Sequence, residues 1–356
     1  MSAPDTWSRR SLLLAGVGLA AAGCTTPSGA SNAQRQAPPP SGRPASATTR
    51  PTAPTTAPTA ATPAGIRPSA RFDLATRPRV ALREVRLHES DSTMQGIGYD
   101  TANHRLFAVQ GRDGRPGADL CINQVGRHGK VLGHVHVNDA GHGQSFGVES
   151  VGSKSYLWFE SDATENTRAG RGTALARFRF APGRRPKVEK FLTGSPEVGC
   201  AIDPVAKRLL VRRFDGQATT YRLYRLADAT QGDFGRPLAA IPEPSNTRLQ
   251  PDGGTPVLQA FTVLGSYVYT WVGTGGHAGT ASDPFNTFLS AIDLRTGRIV
   301  QQRRIRIGRS LAYREPEGLA VDVVNGTPRL CFGFASRPDP DGPRRLASIF
   351  YLDTLR

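Results

Sequence analysis

The sequence predicts an all-β fold, a five-bladed β-propeller of four-stranded blades over residues 71–356, and three observations carry that prediction. Five segments align: "QGIGYDTANHRLFAV" from 95, "FGVESVGSKSYLWFE" from 146, "CAIDPVAKRLLVRR" from 200, "QAFTVLGSYVYTWV" from 259 and "EGLAVDVVNGTPRLCFGF" from 317, with starts 51, 54, 59 and 58 residues apart. Two further strand-like runs follow each of the first four: "DLCINQV" with "KVLGHVHV", "ALARFRF" with "KVEKFL", "TYRLYRL" with "PLAAI", and "FLSAIDL" with "GRIVQQRRI". The fifth unit stops one strand short, after "LASIFYL", and "RVALREVRL" at 79–87 has the character of the missing outer strand. Pairing the two termini closes the ring and removes an exposed edge.

Taken in chain order, residues 1–23 read as a signal peptide. Arg9 and Arg10 precede an apolar run from Leu12 to Ala22 that is too short to span a bilayer. Ser8-Arg9-Arg10 with Leu12-Leu13 resembles the twin-arginine export motif. Ala21-Ala22-Gly23-Cys24 resembles a lipobox, which implies cleavage before Cys24 and lipid on its thiol. Residues 24–70 carry Pro, Thr, Ser and Ala with four arginines and no acid after Cys24, too little apolar surface to fold. As a polyproline-like tether at ~3.1 Å per residue this segment reaches on the order of 100 Å. The expected location is therefore the outer face of the cytoplasmic membrane, lipid-anchored, with the folded domain within the cell wall.

Within each blade the second aligned position is small (Gly96, Gly147, Ala201, Ala260, Gly318) and the third bulky and apolar (Ile97, Val148, Ile202, Phe261, Leu319), the pattern of a strand with one crowded and one close-packed face. Turns after first and third strands are short, as in "DTAN", "VGSK" and "RTG". The remaining connections are long, Gly-rich and charged, as in "GRDGRPGAD", "SDATENTRAGRGTA", "GTGGHAGTASDPFNT" and "RPDPDGPRR". Long loops gathered on one face mark the functional face.

That face holds the candidate site. The heads of the innermost strands are Gln95, Phe146, Cys200, Gln259 and Glu317, so the alignment gathers Gln95, Gln259 and Glu317 around the channel axis, with Glu315 just above. Pro316 favours an extended Glu315, which turns both acids to the same side. Glycines flank His142 in "AGHGQSFG" and predict an exposed turn that brings it to the same mouth. Arg171 and Arg345, on long loops, supply guanidinium forks for phosphate. Arg314 is a competing explanation for the acids, as a partner that neutralises them.

Other residues carry plainer readings. Glu149, mid-strand on the small face, needs a partner if buried. Glu160 and Asp162 open a long loop near Arg168 and Arg171, where surface ion pairing explains them as well as a functional role does. Trp158 and Trp271 hold equivalent second-strand positions and are expected between blades. His277 is a lone loop histidine. Cys121, Cys200 and Cys331 lie in apolar runs as buried thiols, an odd number that argues against a complete disulfide framework. No Cys or His spacing suits a metal, and GxSxG, P-loop and HExxH motifs are absent from the sequence, so neither metal nor cofactor is expected. Six of the 45 Lys and Arg and one of the 29 acids precede residue 71, leaving the folded part near +11, almost all of it arginine. Outside the cytoplasm the matching anions are phosphate-rich wall polymers or lipid headgroups rather than nucleic acid. A monomer is expected.

The chain from Arg71 to Arg356 also resembles a family. "RFDL" at 71, "MQGIGYD" at 94, "GHGQSFGVESVGSKSYLW" at 141, "GRGTALARFRF" at 170, "YREPEGLAV" at 313 and "GFAS" at 333 are similar to the exported actinobacterial proteins labelled teichoic acid biosynthesis protein C. These share a five-bladed propeller with phage receptor-binding proteins that recognise wall teichoic acid. The resemblance implies the fold and a glycopolymer ligand, and brings no catalytic residue set with it. Two functions stay open. One is a lipid-anchored module binding an anionic wall glycopolymer. The other is a glycan or phosphodiester hydrolase using Glu315, Glu317 or Glu149 as acid and base, with His142.

Overall fold

The computed structural model describes residues 65–112, 115–163, 170–245, 257–275, 287–339 and 342–356, and in them the five repeats form five four-stranded sheets. The chain opens with β1 (Arg79–Val85). Blade one is β2 (Met94–Asp100), β3 (Arg105–Arg112), β4 (Arg115–Val125) and β5 (Val131–Val137). Blade two is β6 (Gly147–Val151), β7 (Lys154–Ser161), β8 (Ala174–Arg179) and a two-residue β9 (Glu189–Lys190), much shorter than the expected run. Blade three is β10 (Glu197–Asp203), β11 (Arg208–Phe214), β12 (Thr219–Arg225) and β13 (Ala239–Pro242), with an unexpected short helix α1 (Leu226–Thr230) before its last strand. Blade four is β14 (Leu258–Leu264), β15 (Tyr267–Val272), β16 (Phe288–Asp293) and β17 (Ile299–Arg304). Blade five is β18 (Glu315–Val324), β19 (Thr327–Ser336) and β20 (Leu346–Leu352), completed by β1.

The closure is therefore the one the incomplete fifth unit predicts. Strand β1 pairs antiparallel with β20, Arg79 opposite Tyr351 and Val85 opposite Ala347, through two register shifts. A second clasp lies upstream. Arg71 and Arg356 exchange backbone hydrogen bonds at 3.0 and 2.9 Å, and Phe72 bridges Leu355. The docked chain begins before residue 71: Ile66 is buried against blades three and four, and the Ser69 hydroxyl accepts the Ser266 N–H at 2.9 Å.

The apolar residues of neighbouring strands meet between blades, not within one central core. Trp158 packs against Val198, Cys200 and Leu209 of blade three, and Trp271 against Phe332 and Phe334 of blade five. Both indoles are fully buried, as expected of inter-blade packing. Truncating either to alanine should cost about 3–5 kcal/mol. Cys121, Cys200 and Cys331 are buried free thiols. On the short-turn face, carboxylates at strand ends bolt one blade to the next. Asp100 accepts the Ser150 and Ser155 hydroxyls of blade two at 2.5 Å each, and Asp203 accepts the Gly265 N–H of blade four at 2.8 Å. Among the described residues no helix is long and apolar enough to cross a membrane. Cys24, the export motif, His277 and Arg168 lie outside the described residues.

Candidate functional site

All five innermost strands start at the long-loop face, and their first residues form the mouth of the channel. Gln95 and Gln259 occupy the same place in blades one and four because each sits at a register shift, between Met94 and Gly96 and between Leu258 and Ala260. A bulge re-aims a side chain out of the ladder. In blade five the shift falls between Glu317 and Leu319, at Gly318, whose φ of +74° and close approach to the backbone of Gly96 and Ile97 leave no room for a Cβ. Blade three has no shift. Its aligned strand head, Cys200, lies buried within the strand, and the mouth receives Glu197 instead, which corrects the sequence alignment there.

The segment from Ala140 to Phe146 crosses this mouth. Gly141 and Gly143 adopt φ of +103° and +77°, the left-handed region that favours glycine. The turn then carries Gln144 and Ser145 to blade four. Gln144 Nε2 donates to Gln259 Oε1 at 3.3 Å, and Gln259 Nε2 donates to the Gly273 carbonyl at 3.3 Å. Ser145 Oγ accepts the Phe261 N–H at 2.8 Å and donates to its carbonyl at 3.2 Å. Side chains thus bridge the axis at this level. His142 is half-buried rather than exposed, because the turn folds inward over blade two. Burial first, and Arg171 second, push its imidazole down to about 4, so it is neutral near pH 7.

Glu160 explains the inward fold. Its carboxylate is buried, accepting the Gly143 N–H at 2.7 Å with one oxygen and the Gly172 N–H at 2.7 Å with the other. The surface-pair reading of Glu160 is overturned: it ties two mouth loops together. Desolvation raises its pKa although Arg171 and both N–H groups oppose the rise. Arg171 lies 3.5 Å from Glu160 and 3.9 Å from Glu197, and its side chain is mostly buried. Arg212 continues the chain of charges, pairing with Glu197 and holding Glu243 in a fork at 2.9 and 2.8 Å, while Tyr221 donates to Glu243 at 2.6 Å. These partners lift Arg212 above its ordinary range against the cost of burial.

Blade five is different. Tyr313 and Arg314 both have positive φ, 70° and 39°, an unusual strain for two consecutive non-glycine residues. The bend sends Arg314 into the wall, where it donates to the Ile307 and Ile305 carbonyls at 2.8 Å each and to Thr287 Oγ1 at 3.0 Å, its guanidinium 4.0 Å above the Phe334 ring. These contacts fix the guanidinium in the wall of blade five. Glu317 is buried, and its Oε2 has no hydrogen-bond partner among the described residues. Burial, then Glu315, raise it well above the carboxylate range, with Arg171 opposing. Gln95 Oε1 is likewise buried and unpartnered. Tyr313, Glu315, Arg337 and Arg345 form the rim above. The Arg337 guanidinium lies 4.7 Å over the Tyr313 ring, and its Nε has no hydrogen-bond partner. Tyr313 is pushed up to about 12 by burial and then by Glu315. Arg345 is lowered by burial and then by Arg337, and it donates to the carbonyls of Gly342, Pro343 and Arg344.

Of the residues singled out in the sequence, the mouth therefore brings together Gln95, His142, Gln259, Glu315, Glu317 and Arg171, with Arg345 on the rim. Glu149 stands apart. Its Oε2 accepts Trp158 Nε1 and Arg177 Nε, both at 2.9 Å, and this pairing makes it a structural acid. Sequence reasoning missed Gln144, Ser145, Glu197, Arg212, Glu243, Tyr313 and Arg337. It also found no metal-type spacing, yet the fold assembles His88, His134 and His136 at the edge of blade one. Desolvation and the two neighbouring imidazoles hold His134 below the usual histidine range.

A family model described as the phage five-bladed β-propeller receptor-binding platform domain matches residues 93–337. Among solved structures the chain is similar to the tail fibre of Staphylococcus aureus phage P68, at 14% identity and a TM-score of 0.62, over 79% of this chain and 54% of that one. This chain thus spans about half the length of that tail fibre, and at such identity the likeness concerns the fold. The GH43_1 enzyme from Xanthomonas citri complexed with xylotriose matches at 12% identity and a TM-score of 0.44, over 78% of this chain and 93% of that one. No curated protein sequence matches.

Proposed function

Because the chain belongs to the family of phage five-bladed β-propeller receptor-binding platform domains, we propose that its propeller is a recognition module for an anionic glycopolymer of the cell wall, of the teichoic acid class. In this reading the N-terminal segment exports the chain and lipid on Cys24 anchors it outside the cytoplasmic membrane. The observation that carries the proposal is the blade-five rim. Burial and then Arg337 disfavour the charge on Arg345, with Asp91 and Glu315 opposing, and neither arginine forms an ion pair among the described residues. A phosphodiester relieves that repulsion and accepts forked hydrogen bonds from guanidinium. The half-buried Tyr313 and Glu315 lie beside the two arginines on the same rim. The resemblance of "YREPEGLAV" and its companion motifs to the teichoic acid biosynthesis protein C family supports the choice of polymer.

A hydrolase reading draws on Glu317, a buried acid whose protonated form is favoured by burial and by the second carboxylate, Glu315, as a general acid's would be. At 3% exposure, however, Glu317 lies beneath the surface a polymer would touch, while the rim site needs no rearrangement. The test is binding of the full chain to purified wall teichoic acid, with the phosphate-free glycan as comparator. Salt-sensitive binding to the phosphate polymer alone supports the proposal. No binding even at low salt ends it, and release of sugar or phosphate that disappears in Glu317→Gln would replace it with the hydrolase reading.

A further inference from the structure

Strand β5 is the outermost strand of blade one, and residues two apart on it face the same way. His134 and His136 are such a pair. Their partners on β4 are Asn123 and Cys121. Asn123 then reaches out to a third histidine, since its Oδ1 accepts the His88 backbone N–H at 3.0 Å. His88 comes from the stretch that leaves β1 for blade one, so a distant part of the chain is delivered over β5. Its ring stacks on His134 at 3.5 Å between centroids, and the His134 and His136 rings are 5.1 Å apart. One nitrogen from each of the three lies within 4.8 Å of the others.

We propose that His88, His134 and His136 bind a divalent cation of the zinc class, with Glu89 as the outer carboxylate that orients His136. Three imidazoles suit zinc and its late first-row neighbours, and leave a fourth position open. Zinc–nitrogen bonds of about 2.0–2.1 Å require the three nitrogens to close by roughly 1 Å, which rotation of the exposed His88 supplies. His136 Nε2 and Glu89 Oε1 are 3.1 Å apart, leaving Nδ1 for the ion in the arrangement typical of metal-bound histidine. Glu89 is fixed in turn: its N–H donates to Gln110 Oε1 at 3.1 Å and its carbonyl accepts from Gln110 Nε2. A groove of about 430 Å³ lined by His134 and His136, together with Arg184 and Arg185, adjoins the cluster. A second ligand set, Glu89, Cys121 and His136, is geometrically close, but Cys121 is fully buried and burial pushes its thiol up to about 12. An ion at the histidines would pin the segment after the ring-closing strand to blade one.

The test is zinc titration of the chelator-treated full chain, followed by equilibrium dialysis, cobalt(II) visible absorption and thermal melting. One zinc per chain, a tetrahedral cobalt spectrum and a melting temperature that rises with zinc are expected. His88→Ala, exposed and free to fold, should lose all three responses, as should His134→Ala. Glu89→Gln should weaken binding roughly 10–100-fold, and His104→Asn, in the turn between β2 and β3 and outside the cluster, should change nothing. Zinc uptake unaltered by His88→Ala, uptake abolished by Cys121→Ser alone, or no saturable uptake by the wild-type chain would each overturn the proposal.

Discussion

Two sides of the same channel mouth use the same residue types to opposite ends. On the side of blades two and three, Arg171 lies between Glu160 and Glu197, and Arg212 between Glu197 and Glu243. Every charge there has a partner and most are buried. On the blade-five side Arg337 lies over Tyr313 and disfavours the charge on Arg345, while Glu317 and Gln95 each keep a buried oxygen with no partner among the described residues. Charge alone does not mark a ligand site. Pairing separates the half that holds the mouth in shape from the half that keeps interactions in reserve, because unsatisfied buried polar groups are costly and rare.

The sharpest way to break this comparison is to remove a paired acid. Glu160→Ala strands two backbone N–H groups and leaves Arg171 without its nearest carboxylate, and Arg212→Ala leaves Glu197 and Glu243 facing each other. Either change should destabilise the fold by about 3–5 kcal/mol in denaturant unfolding. A loss below about 1 kcal/mol would place these charges among ordinary surface pairs.

His142 sharpens the comparison through pH. Its folded pKa of about 4 lies below the ordinary histidine value of 6.5, so as pH falls the unfolded chain takes up the proton first. The stability it contributes is whole above pH 6.5, falls between 6.5 and 4, and levels off below, for a total on the order of 3 kcal/mol. His142→Gln should flatten the pH dependence of unfolding in that window. An unchanged slope would mean that the imidazole is not held neutral at the mouth.

On the rim the effect should appear in binding and spare stability. Arg337→Ala should weaken polymer binding about tenfold, near 1.4 kcal/mol, and the difference should shrink as salt screens exposed charge. Arg337→Lys should recover the charge but not the forked geometry, so only part of the loss returns. Full recovery would reduce the rim to a diffuse positive field.

How much of this was legible follows from which interactions repeat. The blades repeat, so five aligned strands and one missing strand were enough for the architecture and its closure. Gln95, Gln259 and Glu317 were found at the mouth because small residues at the next position kept their strands in register. Glu197 was missed because β10 lacks the bulge, which displaced the alignment to Cys200. The Arg212–Glu243 fork and the His88–His134 stack join segments 31 and 46 residues apart, outside any periodic relation a single chain displays. Glu160 was misread for a physical reason: a Glu-Ser-Asp run entering a long loop looks solvated, and only the fold brings two glycine N–H groups to bury it.

The smallest expected effect tests the unpaired half most directly. Burial and Glu315 favour the protonated form of Glu317, and a carboxamide has nearly the shape of that form. Glu317→Gln should therefore leave polymer affinity within about twofold of wild type, roughly 0.4 kcal/mol. Stability should respond with the opposite sign to His142. The folded pKa is raised, so wild-type stability is whole below the ordinary value of 4.5 and is lost as pH rises towards the folded pKa. The amide, which has no proton to lose, should be the more stable protein on the alkaline side and should show a flatter profile there. If Glu317→Gln instead abolishes binding while unfolding at alkaline pH is unchanged, the carboxylate is charged and in contact with ligand. The partnerless oxygen would then belong to the binding site itself, and the rim arginines would be its flank.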